Sequence, residues 1–546
     1  MQEKISLQWN IIKFDINTLS QDIEDILKTR FKNNELDKNI TDLYDPYLLK
    51  DMDKAVERIK KAYKDSERVI IFWDYDVDGV TSTSILMHFF KKIGLQVSYR
   101  LPNRITDGYG MKKYFMDELA SLWVTLVITV DCWTRDIEVI QYAKTLWVDI
   151  IVTDHHAVPE VIPEEAIAII NPKRKDCAYP FKDLSWAWVA FKLMKALAQD
   201  FFPPEEYKKY LRETIDIAAI GTVADCMPLV DENRIIVLEW LKQIKQSRSL
   251  WVRKLIEERI HDDLDADIFG FLIWPRLNAA GRLDTPYKAV NLLLNNSQWV
   301  EQVIEDIENI NNKRKDLTKL FYEDALEKID SKNNILFYYS EKIEHGIIWI
   351  VAGKLTEKFY KPSIVLKDEW EKLVASCRSP EYFSIVEYLE KYKDYFLHFW
   401  WHKQAAWFSI AKEKFFDFQN QFTHELNSLD FSMKKKNIKV DKVVDISEFW
   451  FQLISKISQF KPYWIWNTKP VFMFSEFEID TVEYLWKTME HITLKNKYGI
   501  NMLGFWLGQH YDILKTSKKI DIIFDVIEDI WMGKRQIKAK IIDICL

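Results

Sequence analysis

Four short runs constrain the fold of this chain more than any other feature: RVIIFW (68–73), VTLVITV (124–130), VDIIVT (148–153) and AIAII (166–170). Each is rich in β-branched residues and almost wholly apolar. A strand with one wet face alternates polar and apolar residues, whereas a strand covered on both faces does not. Helical patterns lie between and after them, such as VTSTSILMHFFKKIG (80–94) and VAFKLMKALAQDF (189–201). Buried strands alternating with helices imply a parallel sheet in a layered α/β domain.

At 546 residues the chain exceeds what one core serves, and several domains are expected. Residues 1–50 read as an N-terminal extension, 51–240 as the first α/β domain, and 241–330 as a helical connector ending in the charged stretch 302–329. A second, smaller α/β unit spans 331–430. Short alternating segments at 469–479, 521–527 and 536–544 make 431–546 a β domain.

Several function classes are disfavoured. No run of eighteen apolar residues exists, so no membrane span is expected. The start, MQEKISLQWNIIKFD, carries charges where a signal peptide needs an apolar stretch, which points to the cytoplasm. Five scattered cysteines without C-x-x-C spacing argue against a disulfide framework and a zinc site. Net charge is −7, which weighs against a general nucleic-acid binder. Basic runs at 311–319, 432–442 and 533–540 are either solvated faces or local phosphate contacts.

The chemistry lies at strand ends. FWDYDVDGVTST (72–83) sets Asp74, Asp76 and Asp78 between a buried strand and a helix. Ligands of α/β sheets bind beyond the carboxyl ends of the strands, and carboxylates in a tight turn suit Mg²⁺ or Mn²⁺. An EF-hand is excluded, because its twelfth position, counted from Asp74, is Ile85. VITVD then ends at Asp131, IIVTDHH ends in Asp154, His155 and His156, and IAAIGTVAD ends at Asp225. One such Asp is more often a turn or helix cap. Three successive strands ending this way point instead to a pair of hard cations, able to activate water and to stabilise an in-line phosphoryl displacement.

DYDVDGVTS, VDC, TDHH and GTVAD stand in the order found in the DHH phosphoesterase superfamily. LPNRITDGYGM (101–111), NPKRKDCAYPFKDLS (171–185), PRLNAAGRLDTP (275–286), EHGIIWIVAGKLTEKFYKPSIVL (344–366) and FWWHKQAAWFSI (399–410) resemble the RecJ exonuclease family, as do FKPYWIWNTKPVF (460–472) and DIWMGKRQIKAKIIDI (529–544). The resemblance runs from about residue 45 to 546. It implies a DHH catalytic domain, a long connector helix, a DHH-associated α/β domain and a C-terminal OB-like domain that binds nucleic acid. It also implies a single-stranded-DNA-specific 5′→3′ exonuclease that uses two Mn²⁺ or Mg²⁺ ions, releases 5′-mononucleotides and serves repair and recombination.

By that resemblance Asp74, Asp76, Asp78, Asp131, His155 and Asp225 hold the metals, with Asp131 bridging them. His156 approaches the scissile phosphate, and Asp154 orients the imidazole pair. Arg104 and Arg276 grip DNA phosphates, and Ser376, Arg378 and His402 contact substrate from the second domain. A single-strand-binding protein and a RecQ-like helicase are partners by resemblance only, and a monomer is expected. The alternatives are a DHH phosphodiesterase for short oligoribonucleotides or cyclic dinucleotides, and a non-catalytic replication scaffold. The scaffold reading expects lost metal ligands.

Composition holds one anomaly. Glycine is 13 of 546 residues, about 2% against a usual share near 7%, while tryptophan reaches 22. Tryptophan stands where RecJ relatives have glycine, including Trp73, Trp123, Trp147, Trp186, Trp188, Trp240, Trp400 and Trp401. Trp531 matches a family tryptophan. Indoles at glycine positions are expected to overfill packed or substrate-lined space. Three readings stand: a UGA codon that the host reads as glycine, true tryptophans that stack bases, or a decayed gene. The first is the expectation.

Overall fold

The computed structural model describes residues 22–31, 35–73, 76–101, 111–130, 136–247, 249–257, 264–294, 300–402, 404–431, 434, 438–449, 451–486, 488–531 and 534–545. At 400–402, 527, 529–531 and 534–536 it describes the backbone alone. Asp74, Arg104 and Asp131 lie outside the described residues, as does the side chain of His402.

The four apolar runs form strands β1 (Arg68–Trp73), β3 (Val124–Val130), β4 (Asp149–Thr153) and β5 (Ala168–Ile170). A further strand, β2 (Val97–Arg100), was not anticipated; it is short and only partly buried, so its pattern is weak. The sheet order is β2-β1-β3-β4-β5, and every pairing is parallel. The absence of alternation has the expected cause. Val69, Ile71 and Trp73 of β1 face one core, whereas Ile70 and Phe72 face another.

Helices cover both faces. After α1 (Ile23–Lys28) come α2 (Met52–Lys64), α3 (Val77–Ile93), α4 (Lys113–Ser121), α5 (Ile137–Thr145), α6 (Trp186–Phe201), α7 (Pro204–Ala224) and α8 (Asp231–Gln243). The helices α4 and α5 close one face, and α2, α3, α6 and α7 close the other. The connector holds α9 (Leu250–Ile256), α10 (Trp274–Leu283), α11 (Tyr287–Leu294) and α12 (Val300–Lys328). A single core runs from Leu49 to Ile307, so α9, α10, α11 and α12 share the core of the parallel-sheet layer.

The second unit is a mixed sheet in the order β6 (Leu336–Ser340), β7 (Ser363–Glu369), β8 (Lys372–Arg378), β10 (Ala405–Ala411), β9 (Phe396–His402). One face carries α13 (Ile348–Phe359), and the other carries the helix Lys412–Asn427. The C-terminal unit is a seven-stranded sheet centred on the long antiparallel pair Lys519–Trp531 and Lys534–Cys545. Ile23 and Leu27 of α1 insert into its core, whereas Leu49 belongs to the core of the parallel-sheet layer.

Register positions the site. Trp73 pairs with Val130, Val130 with Thr153, and Thr153 with Ile170. Thus β1, β3, β4 and β5 end at one level, and the next positions in sequence are Asp74, Asp131, Asp154 and Asn171. The order reverses between β1 and β3, where α/β sheets of this order place ligands.

Beneath this edge α3, α6 and α7 converge on Gly221. A Cβ there would lie 2.3 Å from Ala187 Cβ, 2.5 Å from Thr81 Oγ1 and 2.6 Å from Asp78 Oδ1. Only glycine lets the helices meet so closely. Gly221→Ala is therefore expected to destabilise the chain by about 1–3 kcal/mol, read by denaturant unfolding. An unchanged midpoint would show that the helices can separate at no cost.

Candidate active site

The carboxylates are held by helix ends. Asp76 caps α3, its Oδ1 accepting the Gly79 N–H at 2.8 Å. The cap and ligand readings of this acid therefore coexist, because its second oxygen is not needed for the cap. Asp78, two residues on, is buried. Its Oδ2 accepts the N–H of Trp186 at 2.8 Å and its Oδ1 that of Ala187 at 3.0 Å. These are unpaired donors at the N-terminus of α6, where the helix dipole favours negative charge. Burial, together with the charge of Asp76, still raises the Asp78 pKa well above the carboxylate range.

Asp225 closes the group from the C-terminus of α7. Its Oδ2 is buried without a hydrogen-bond partner among the described residues, 3.5 Å from Nε2 of His155. Burial first, then the charges of Asp78 and Asp76, raise its pKa as well. His155 is buried, and its Nδ1–H donates to the Leu184 carbonyl at 2.5 Å. That bond fixes the tautomer and leaves the Nε2 lone pair facing Asp225. Burial, then the nearby charge of Lys173, holds the His155 pKa down to about 3, so the ring is neutral at physiological pH. A neutral imidazole and the carboxylates of Asp76, Asp78 and Asp225, one with an oxygen left without a hydrogen bond, are donor types that a hard divalent cation takes, although among the described residues no three of them are gathered closely enough to hold one by themselves.

Asp154 organises the rim. Its Oδ1 accepts the N–H groups of His155 (2.7 Å) and His156 (3.0 Å) and Nδ1–H of His156 (3.1 Å). It thus orients the ring of His156, whereas Leu184 orients that of His155. The expectation that Asp154 holds both imidazoles is corrected to one. His156 is 47% exposed, open to an incoming group. Asn171 donates from Nδ2 to the His156 carbonyl at 3.0 Å and accepts the Lys173 N–H at 2.8 Å.

One side chain occupies the middle of this arrangement. The Trp186 ring lies 4.0 Å from that of His155 and 4.5 Å from that of His156, centroid to centroid. Its Nε1–H is a fourth donor to Asp154 Oδ1, at 3.1 Å. Trp188 is accommodated, contrary to the expected overfilling. Its ring stacks on Phe191, and its N–H reaches Glu232 at 3.2 Å.

The remaining expected residues lie on other elements. Arg276 on α10 is engaged by Glu308 of α12 and by the Leu272 carbonyl at 2.7 Å. Ser376 and Arg378 lie on β8, Ser376 buried and paired with Trp407 and Val365. Arg378 and Arg282 both pack on the ring of Trp349, at 5.7 Å and 3.9 Å. His402 pairs with Ala405. Sequence reasoning missed Asn171, Lys173, Leu184 and Gly221; the position after AIAII marked Asn171, whereas a backbone carbonyl leaves no trace in sequence.

The sheet order, the acids at its carboxyl edge and the adjacent histidines define a DHH-type domain, and residues 68–222 match the DHH family, N-terminal domain. Residues 440–543 match the RecJ OB domain. The chain is 32% identical to the single-stranded-DNA-specific exonuclease RecJ of Salmonella typhimurium over 416 residues, 71% of each protein. It is 30% identical to that of Bacillus subtilis over 517 residues, which is 92% of this chain and 64% of that relative's length. The RecJ of Thermus thermophilus, solved in complex with Mn²⁺, superposes with a TM-score of 0.81 at 24% identity, covering 96% of this chain and 75% of that one. The same protein solved with Mg²⁺ gives 0.76 at 23% identity, covering 96% and 74%. This chain belongs to the RecJ family.

The raised carboxyls set a pH dependence. A carboxyl whose folded pKa exceeds its unfolded one adds stability below the ordinary carboxylate range and loses it as pH rises through the raised value. Chelator-treated protein is therefore expected to lose stability from Asp78 and Asp225 as pH rises from about 4 through neutrality. A bound cation displaces those protons, so calorimetric Mn²⁺ affinity should increase between about pH 6 and pH 8. Affinity independent of pH would remove Asp78 and Asp225 from the ligand set.

Proposed function

We propose that this chain is a metal-dependent exonuclease that degrades single-stranded DNA from the 5′ end and releases 5′-mononucleotides. The observation that carries the reading is the buried Oδ2 of Asp225, which has no hydrogen-bond partner among the described residues, beside the neutral His155 and the clamped Asp78. Asp76, Asp78, His155 and Asp225, with Asp74 and Asp131 from the adjoining strand ends, would hold two Mn²⁺ or Mg²⁺ ions. Such a pair supplies a water nucleophile at neutral pH and charge stabilisation for an in-line displacement at phosphorus.

The chain's own residues do the rest. His155 stays neutral because burial and then the charge of Lys173 oppose its protonation, and its one N–H is donated to the Leu184 carbonyl. His156, anchored through Nδ1 to Asp154, keeps Nε2 for a phosphate oxygen and can hold or deliver a proton there. Lys173, whose charge is felt by both His155 and Asp225, adds positive potential at the rim. Arg104, Arg276, Ser376, Arg378 and His402 are assigned to the DNA backbone and its 5′ end. The proposed domains are 51–240 for catalysis, 241–330 as connector, 331–430 for substrate and 431–546 for nucleic acid.

The relatives named above are single-stranded-DNA-specific exonucleases, which supports the substrate class. No helix among the described residues is long and apolar enough to cross a membrane, which accords with a cytoplasmic enzyme of repair and recombination. A monomer working beside a single-strand-binding protein and a RecQ-like helicase completes the proposal.

Asp225→Asn keeps the shape of the side chain and removes its charge. It should lower Mn²⁺-dependent release of 5′-mononucleotides by about tenfold to a hundredfold or more while leaving single-stranded-DNA binding intact, read by fluorescence anisotropy. Unchanged cleavage would refute the metal assignment. Cleavage that starts at the 3′ end would refute the polarity.

A further inference from the structure

The backbone separates the tryptophans into those that suit their places and those that do not. Twelve non-glycine residues among those described have positive φ, and five of them are tryptophan: Trp123 (φ 60°), Trp147 (61°), Trp370 (58°), Trp466 (70°) and Trp506 (62°). A left-handed backbone is uncommon for any residue with a side chain. Asn, Asp and His tolerate it best, and a bulky residue there is an outlier. Tryptophan is 22 of 546 residues, so chance places fewer than one in such a set of twelve.

The local motifs specify what belongs there. The helix α3 ends at Gly94 (φ 82°), whose N–H bonds the Lys91 carbonyl while the Leu95 N–H bonds that of Phe90. This is the Schellman termination, which uses a left-handed residue and strongly favours glycine. The helix α5 ends identically at Trp147, with Trp147 N–H on Lys144 and Val148 N–H on Ala143. The helix α4 ends at Trp123, whose N–H bonds Ala120. The β7–β8 hairpin closes at Glu369↔Lys372 through the two-residue loop Trp370-Glu371, with positive φ at the first position alone. That is the type II′ pattern, which calls for glycine first.

The indoles gain little in exchange: of the five, only that of Trp506 meets another ring among the described residues, that of His491 edge-on at 4.6 Å. All five are between 65% and 92% exposed. Inside the protein, the indole N–H groups of Trp73, Trp240, Trp251 and Trp464 are buried without a partner among the described residues, although buried indoles ordinarily find one. Trp186 occupies a place where backbone N–H groups must approach Asp78 and where its ring stands between the two histidines. Close approach of backbone to a bound group is another use of glycine.

We infer that positions 123, 147, 370, 466 and 506, and with them 186, are glycine in the protein its own host makes, because the host reads as glycine a codon rendered here as tryptophan. The backbone retains the conformations that glycine dictates. At 186 the consequence is functional: with a hydrogen in place of the indole, the space between His155 and His156 opens to cation and phosphate. That last step rests on the proposed exonuclease function, whereas the identities of the residues do not.

Tandem mass spectrometry of the protein purified from its host tests the inference directly. Peptides covering 123, 147, 186, 370, 466 and 506 should carry glycine masses, and tryptophan at any of the five left-handed positions would overturn it. The recombinant chain gives a second readout. Trp→Gly at each left-handed position should raise the melting temperature of its domain by roughly 2–4 °C; a fall or no change would count against the inference. Trp186→Gly should strengthen Mn²⁺ binding in calorimetry at least tenfold. If masses and melting temperatures agree with glycine while Mn²⁺ binding does not change, the decoding stands and the opening of the metal pocket fails.

Discussion

The site depends on one buried carboxylate. Asp78 sits where α3, α6 and α7 converge, with each oxygen on a backbone N–H at the start of α6. An uncompensated charge at such depth would cost several kcal/mol. Two N–H groups and a helix dipole offset part of that cost, and its raised pKa shows that a deficit remains. The deficit makes the place suitable for a cation. Gly221 serves the same end, since any larger residue would push α7, and hence Asp225, away from Asp78.

Around that point the fold divides its labour. The parallel sheet brings four strand ends to one level, which no local sequence interaction could arrange. The histidines of a single motif receive different partners, a backbone carbonyl for His155 and a carboxylate for His156. One is thereby fixed as a buried neutral imidazole, and the other stays at the rim. The shared core from Leu49 to Ile307 fixes α9, α10, α11 and α12 to the parallel-sheet layer. The second α/β unit adjoins α10 through Arg282, Arg378 and Trp349.

Much of this was legible in the sequence, for identifiable reasons. RVIIFW and VTLVITV are buried on both faces and carry a strong signal, whereas β2, with Val97 only partly buried, carries a weak one. The acids and histidines were legible because each stands within a few residues of a strand's carboxyl end or at a helix terminus. Leu184 and the N–H groups of Trp186 and Ala187 were not, because they act through backbone atoms that any residue could supply. Trp188 shows the limit of reasoning from size: the sequence implies overfilling, yet Phe191 and Glu232 give its ring a stack and its N–H an acceptor. Conversely, Trp147, which the resemblance sets at a family glycine, is exposed and overfills nothing; its left-handed backbone is what the structure shows against it.

The central claim is that Asp76, Asp78, His155 and Asp225 form a site for divalent cations at the carboxyl edge of the parallel sheet. Anomalous diffraction from a crystal of the chain carrying glycine at 186, grown with Mn²⁺, tests it most directly. The account predicts strong anomalous density within coordination distance of Asp78, His155 Nε2 and Asp225 Oδ2. Density elsewhere, or none at saturating Mn²⁺, would contradict it.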